Sequence, residues 1–224
     1  MIVGPGMLLA LWAQWKVKSA YAEAKRIPAS SGVSGAQVAA EICRRSGVEG
    51  VRVEQVGGVL TDHYDPRHKV LRLSPEVYSG HSLAALGIAA HEAGHALQHG
   101  KGYAPLALRN GLVPMAMVGS QLTMLLIMAG FVLGALGMLI GKWLIWAGVI
   151  AFGATVLFQL VNLPVEFDAS RRAKRELEAM GYVRPQEMVV VRKVLSAAAM
   201  TYVAATLTAM LTLIYYIMLA QRRD

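Results

Sequence analysis

The chain has 224 residues, 55% of them hydrophobic and only 16% charged, with a formal net charge of +8. A mean hydropathy of +0.45 is high for a soluble globular domain and points to a membrane protein. The charge comes without aromatic–basic interleaving or a nucleic-acid-binding module, so it is read as the Lys/Arg excess of cytoplasmic loops, and no nucleic acid is expected as a partner. With one cysteine, Cys43, a disulfide within the chain is impossible. Cys43 lies in a helical pattern with no base nearby and reads as a packing residue.

In chain order, residues 1–15 are apolar apart from Gln14 and are followed at once by Lys16 and Lys18. The run is short of the roughly 20 residues of a full span and lacks the features of a cleaved signal peptide, so it is expected to be a short span or an inserted anchor. Residues 16–110 are mixed and hold most of the soluble structure. Ser34 is placed to cap a helix over Gly35–Arg45 that Gly47 stops. Val51–Val56 alternates like a strand. Val59–His63 and Lys69–Leu73, separated by the turn-forming YDPRH, make a candidate β-hairpin. Ser74-Pro75 ends it. A helix then runs from Leu83 to about His99, closed by Gly100 and Gly102.

Gly111–Gly134 carries no charge, and Met138–Val161 carries only Lys142. Each is long enough to cross the hydrocarbon core, and the short link between them predicts a transmembrane hairpin over 111–161 whose outer ends share one membrane face. Asn162 and Pro164 are expected to shape the entry to a separate soluble helix over about Val165–Met180. Pro185 begins a further helix that runs into a last span, 197–220. The basic residues cluster in 16–109 and 171–193, so the positive-inside rule puts both soluble segments in the cytoplasm. The C-terminal Arg222 and Arg223 weigh mildly against an external C-terminus. The fold class expected is mainly α: integral membrane helices, a helix carrying an HExxH pattern and a small β-hairpin or sheet in the soluble part, organised as one membrane domain.

The string AAHEAGHALQH, residues 89–99, carries the chemistry. His91 and His95 are four apart, which on a helix stacks both imidazoles on one face, able to share an ion at about 2.0–2.1 Å. Glu92 projects beside that ion, where it can take a proton from water and later give it to a leaving amine. The bland alternative is a set of solvated surface side chains. The apolar AALGIAA before the motif argues for burial, and burying these groups without a partner is costly. His99 repeats the spacing, but three histidines on successive turns of a straight helix spread over about 12 Å, too far for one ion. Glu166, in NLPVEFDAS just after the second span, is the better third ligand, because the hairpin returns it to the membrane face of the histidines. Its alternative role is favourable placement at a helix N-terminus. Asp168 is either an acceptor for a ligand imidazole N–H or a first-turn helix stabiliser. Tyr202, His81 and Tyr103 are candidates for stabilising an oxyanion, and each also reads as a packing residue. Lys69–Leu73 is the strand edge that could receive an extended peptide. His63 and His68 read as exposed turn histidines, and Arg171–Arg175 as a basic face near anionic headgroups.

The strings DHYDPRHKVLRLSPEVY, GIAAHEAGHALQH and NLPVEFDASRRA resemble the YugP-type neutral zinc metallopeptidases of bacterial membranes over most of the chain. More distantly, the chain is similar to the HtpX-type membrane proteases. The resemblance implies His91 and His95 as ligands of one Zn2+ per chain, Glu166 as third ligand and Glu92 as general base. In many glutamate-liganded zinc peptidases an aspartate follows the ligand glutamate by four residues; here Ser170 stands in that place. The function expected is a zinc metalloendopeptidase of the bacterial inner membrane, multi-pass, with its active site facing the cytoplasm. Its partners would be the lipid bilayer and a peptide or protein substrate. A non-catalytic membrane scaffold with a structural metal is the alternative. A metal transporter is disfavoured, because the hairpin spans hold only Lys142.

Overall fold

The structure, a computed structural model, describes residues 3–221. Met1 and Ile2, the first residues of the expected N-terminal anchor, and the C-terminal Arg222 and Arg223 lie outside the described residues. The elements are α1 (Val3–Lys25), α2 (Gly35–Arg45), β1 (Arg52–Gln55), β2 (His63–Asp65), β3 (Val70–Leu73), α3 (Pro75–Tyr78), α4 (Leu83–Gly100), α5 (Ala104–Ala135), α6 (Ile140–Ala179) and α7 (Pro185–Gln221). The chain divides into two compact units. One holds the residues through Trp12, Ala107–Pro164 and those from Thr201 on. The other holds Ala13–Leu106 and Val165–Met200.

The first unit is helical and apolar. Helices α5, α6 and α7 are each long and apolar enough to cross a membrane. Between α5 and α6, Gly137 adopts a left-handed φ of +77°, and Met138 N–H donates to Leu133 O at 3.0 Å, closing the short link. Glycines bring the two helices close. A Cβ on Gly119 would stand 2.4 Å from Ala151 O, one on Gly130 2.6 Å from Ile145, and one on Gly141 2.4 Å from Gly134 N. The order of these contacts is that of an antiparallel hairpin, as the sequence predicts, held by the small-residue packing that replaces hydrophobic driving force in lipid. Threonines bond back to their own helices: Thr123 Oγ1 donates to Gly119 O at 2.7 Å, Thr206 Oγ1 to Tyr202 O at 2.8 Å. Large apolar side chains such as Leu125, Leu139 and Ile150 face outward, the arrangement of a helix surface solvated by lipid.

The second unit has a conventional core. Ser34 and Gln37 form a capping box that starts α2 where the sequence places it. Val38, Ala39, Ile42 and Cys43 of α2 pack with Leu71, Leu73, Leu86, Ala89, Ala93 and Leu97. Burial pushes the Cys43 thiol up to about 12, so it is protonated and unreactive at neutral pH. Ser82 Oγ accepts from Ala85 N–H at 3.2 Å and caps α4.

Four expectations are corrected. The first hairpin strand is His63–Asp65 rather than Val59–His63, because the Gly57-Gly58 pair keeps 57–60 as bends. Tyr64 and Asp65, expected in the turn, are paired strand residues; Asp65 then accepts from Arg67 N–H at 3.0 Å and His68 N–H at 3.3 Å to shape the turn after it. Second, β3 is not an edge. The order is β1-β3-β2, with β1 parallel and β2 antiparallel to β3. Val70, Leu71 and Leu73 are all buried, the pattern of a central strand covered on both faces. Third, α6 is one helix through Pro164. Tertiary packing overrides the proline: Val165 is fully buried, Val165 O accepts from Gln98, and Asn162 Oδ1 accepts from Arg109 Nε at 3.1 Å. Fourth, α1 continues past Lys16 to Lys25, where Tyr21 and Lys25 both donate to Glu76, at 2.8 and 2.6 Å.

In the same unit α4 and the C-terminal part of α6 touch backbone to backbone. A Cβ on Gly94 would lie 2.6 Å from Ala169 O and 3.1 Å from its carbonyl carbon. Both are backbone atoms and cannot rotate away. Gly94→Ala is therefore expected to cost about 1–3 kcal/mol through overpacking, measured as a lower thermal midpoint of the purified protein. An unchanged midpoint would show that α4 and α6 are not in this contact.

Candidate metal centre

Position 94 matters because of what flanks it. His91, Gly94, His95 and Gln98 form one stripe of α4, and Glu166, Ala169 and Ser170 form a stripe of α6. With the backbones in contact at Gly94 and Ala169, the side chains on either side meet. His91 Nε2 is 3.3 Å from Glu166 Oε2, and His95 Nε2 is 3.7 Å from the same oxygen. One donor atom from each of the three residues lies within 4.8 Å of the others. The imidazoles are edge-to-face at 82°, their centroids 4.9 Å apart. Glu166 is only 3% exposed.

The far sides of both rings are occupied. Gln98, fully buried, has its Nε2 on two acceptors: Val165 O at 2.8 Å and Asp168 Oδ2 at 2.9 Å. That fixes its amide, so Oε1 is the atom facing His95 Nδ1 at 3.0 Å. Oε1 can only accept. Nδ1 therefore carries the proton, and Nε2 turns a lone pair toward Glu166. The Ser170 hydroxyl, 3.1 Å from His91 Nδ1, can accept a hydrogen bond from that nitrogen when it carries the ring proton. Behind Gln98, Arg172 Nε donates to Asp168 Oδ2 at 2.6 Å, and the guanidinium lies 5.6 Å from the Tyr103 ring centroid. With no ion between them, Nε2 can instead take up a proton and donate it to Glu166: burial lowers the His95 pKa, but that hydrogen bond and the charges of Glu92 and Glu166 outweigh it and move the pKa upward.

The donor set fits a tetrahedral ion. Two ligands at about 2.1 Å from one centre stand about 3.4 Å apart, and the two Nε2–Oε2 separations bracket that value. Two neutral imidazoles and one carboxylate suit zinc, and a set of three leaves a fourth position open.

Other sequence candidates lie elsewhere. His99 turns away: its Nδ1 is 2.8 Å from Tyr64 OH. Tyr103 packs on Arg172. His81 is exposed and precedes α4, about 12 Å of helix axis before His91. It is not brought to the cluster. Tyr202 belongs to the other unit, where its carbonyl accepts from Thr206. Asp168 touches neither imidazole and acts on His95 through Gln98. His63 and His68 are exposed beside the hairpin turn, His68 Nδ1 lying 2.7 Å from Asp65 Oδ2.

A family profile described as "Putative neutral zinc metallopeptidase" matches residues 1–221. The chain belongs to this neutral zinc metallopeptidase family. It is 46% identical over 211 residues to the "Putative membrane protease YugP" of Bacillus subtilis (strain 168), covering 94% of this chain and 91% of that one. No solved structure matches the chain. The relative and the three apolar helices together mark this family member as a membrane protein.

Sequence reasoning missed Gln98. It stands seven residues after His91 and three after His95, so helical spacing alone puts it on their stripe. Replacing it with methionine keeps the volume and removes the acceptor at His95 Nδ1. Zinc affinity, measured by chelator competition, is expected to fall about 10- to 100-fold in Gln98→Met. Wild-type affinity in that variant would show that His95 does not depend on this partner.

Proposed function

We propose that this protein is a membrane-embedded zinc metalloendopeptidase in which His91, His95 and Glu166 hold one ion and Glu92 is the general base and acid. The observation that carries this reading is the convergence of two imidazole Nε2 atoms and a buried carboxylate on one point, each ring held from behind. Zinc at that point would supply a Lewis acid toward water and toward the scissile carbonyl.

The chain's own residues do the rest. Glu92 follows His91 directly, is partly exposed, and its charge is felt at His95. In this reading it takes a proton from the attacking water and returns it to the leaving nitrogen, so that no free charge separates at the peptide. His91 and His95 serve as neutral donors, with Gln98 Oε1 favouring the Nδ1–H tautomer of His95 and Ser170 steadying the His91 ring. With β3 central, a substrate strand would add to β1 or β2.

The topology we propose puts an anchor at 1–15, a hairpin at 111–161 and a last span at 197–220. The soluble parts, 16–110 and 162–196, face the cytoplasm of a bacterial cell, as the Lys and Arg distribution favours. The chain would then be a multi-pass protein of the inner membrane, cleaving peptides or exposed protein segments at its cytoplasmic face.

Glu92→Gln separates catalysis from binding. Metal content by elemental analysis is expected to equal that of wild type, with casein hydrolysis reduced at least about 100-fold. Hydrolysis surviving in the variant would contradict the assignment of Glu92. Equal metal with no hydrolysis in wild type would favour a scaffold with a structural ion.

A further inference from the structure

A second feature of the site-bearing unit shares only Ser170 with the chemistry above. A cavity of about 640 Å³ opens between α1, the 167–174 stretch of α6 and the 195–200 stretch of α7. Three cationic residues line it, Lys16, Arg171 and Lys174, together with the hydroxyls of Ser170 and Ser196, and no carboxylate does. Phe167, Leu195 and Met200 supply an apolar lining. The volume is far larger than a lone phosphate fills.

We propose that this cavity binds the anionic phosphodiester headgroup of a membrane lipid, with the lysine and arginine side chains on the phosphate and the apolar residues against the start of the acyl chains. Chain order supports the source. Lys16 follows the apolar run that ends at Trp15, Phe167 comes six residues after the apolar run that ends at Val161, and Met200 lies within the apolar stretch of α7. Each wall is thus a helix changing from apolar to charged within about two turns, as helices do at headgroup level. Basic pockets between such helices are suited to anionic headgroups. The rival occupant is an acidic substrate side chain, since Ser170 reaches both this cavity and His91. The apolar lining and the three junctions favour the lipid.

The test uses full-length protein in nanodiscs of phosphatidylcholine, titrated with phosphatidylglycerol, with retained lipid counted by native mass spectrometry. Wild type is expected to retain phosphatidylglycerol over phosphatidylcholine. The double variant Arg171→Gln, Lys174→Gln is expected to weaken that binding at least tenfold. Arg45→Gln with Arg175→Gln removes the same charge outside the cavity lining and is expected to leave it unchanged. Ala199→Phe fills the cavity with every charge retained and is expected to lose the lipid as the double variant does, and thermal midpoints within a few degrees of wild type in both variants are expected to show that binding and not folding is lost. Glycerol phosphate at millimolar concentration should not compete. Equal weakening by the control pair, full retention in Ala199→Phe, competition by glycerol phosphate, or displacement by a glutamate-rich peptide would each overturn the proposal. None of these readouts depends on peptide hydrolysis.

Discussion

The account turns on a close approach of two helices. At Gly94 the surface of α4 has no side chain, and the backbone of Ala169 fills the space, so near that a single methyl would overlap its carbonyl oxygen. Helix pairs separated by ordinary side chains stand about 8–10 Å apart, a gap that a glutamate and two histidines would have to span with extended, mobile side chains. Removing the side chain at one position shortens that gap for the neighbours on either side. His91 and His95 lie one step before and after Gly94 on the stripe. Glu166 and Ser170 flank Ala169 in the same way. The glycine inside the motif is therefore a spacing element, and the geometry of the cluster follows from it.

A buried carboxylate facing two imidazoles is stable only if the remaining polar atoms are satisfied. The structure meets this with a relay: Gln98 joins His95 to Val165 and Asp168, and Arg172 closes it on Asp168. Ser170 serves His91. Each imidazole thus has one nitrogen committed to the protein scaffold and one directed inward. A site built on two helices in contact, with its rotamers fixed from behind, holds its donors ready rather than assembling them on binding.

How much of this could be read from the sequence differs by element. Helix α2 was legible to the residue, because Ser34, Gln37 and Gly47 are local signals. Helix α4 and the two apolar helices of the hairpin were legible in outline, from short-range periodicity and apolar run length, though not to the residue. Glu166 was legible because a hairpin has to return the chain. The sheet order was not: Lys69–Leu73 looks like any hairpin strand, and its central position depends on the parallel pairing of residues 52–55, a contact between distant segments. The continuity of α6 through Pro164 was hidden for the same reason, since local propensity predicts a break and the packing of Val165 and Glu166 cancels it. Asp168 illustrates a third kind of gap. The sequence leaves it open between a direct acceptor for a ligand imidazole and a first-turn helix stabiliser, and the contact found runs through Gln98, which has no sequence signature beyond its place on the stripe.

The central claim is that three named side chains from two touching helices share one ion. X-ray anomalous scattering recorded at the zinc edge from crystals of the zinc-loaded protein tests it most directly. The account predicts one peak per chain in this unit, about 2.0–2.2 Å from His91 Nε2, His95 Nε2 and a Glu166 carboxylate oxygen. A peak bound by the two histidines with Glu166 turned away, or completed instead by His99 or Asp168, would contradict it.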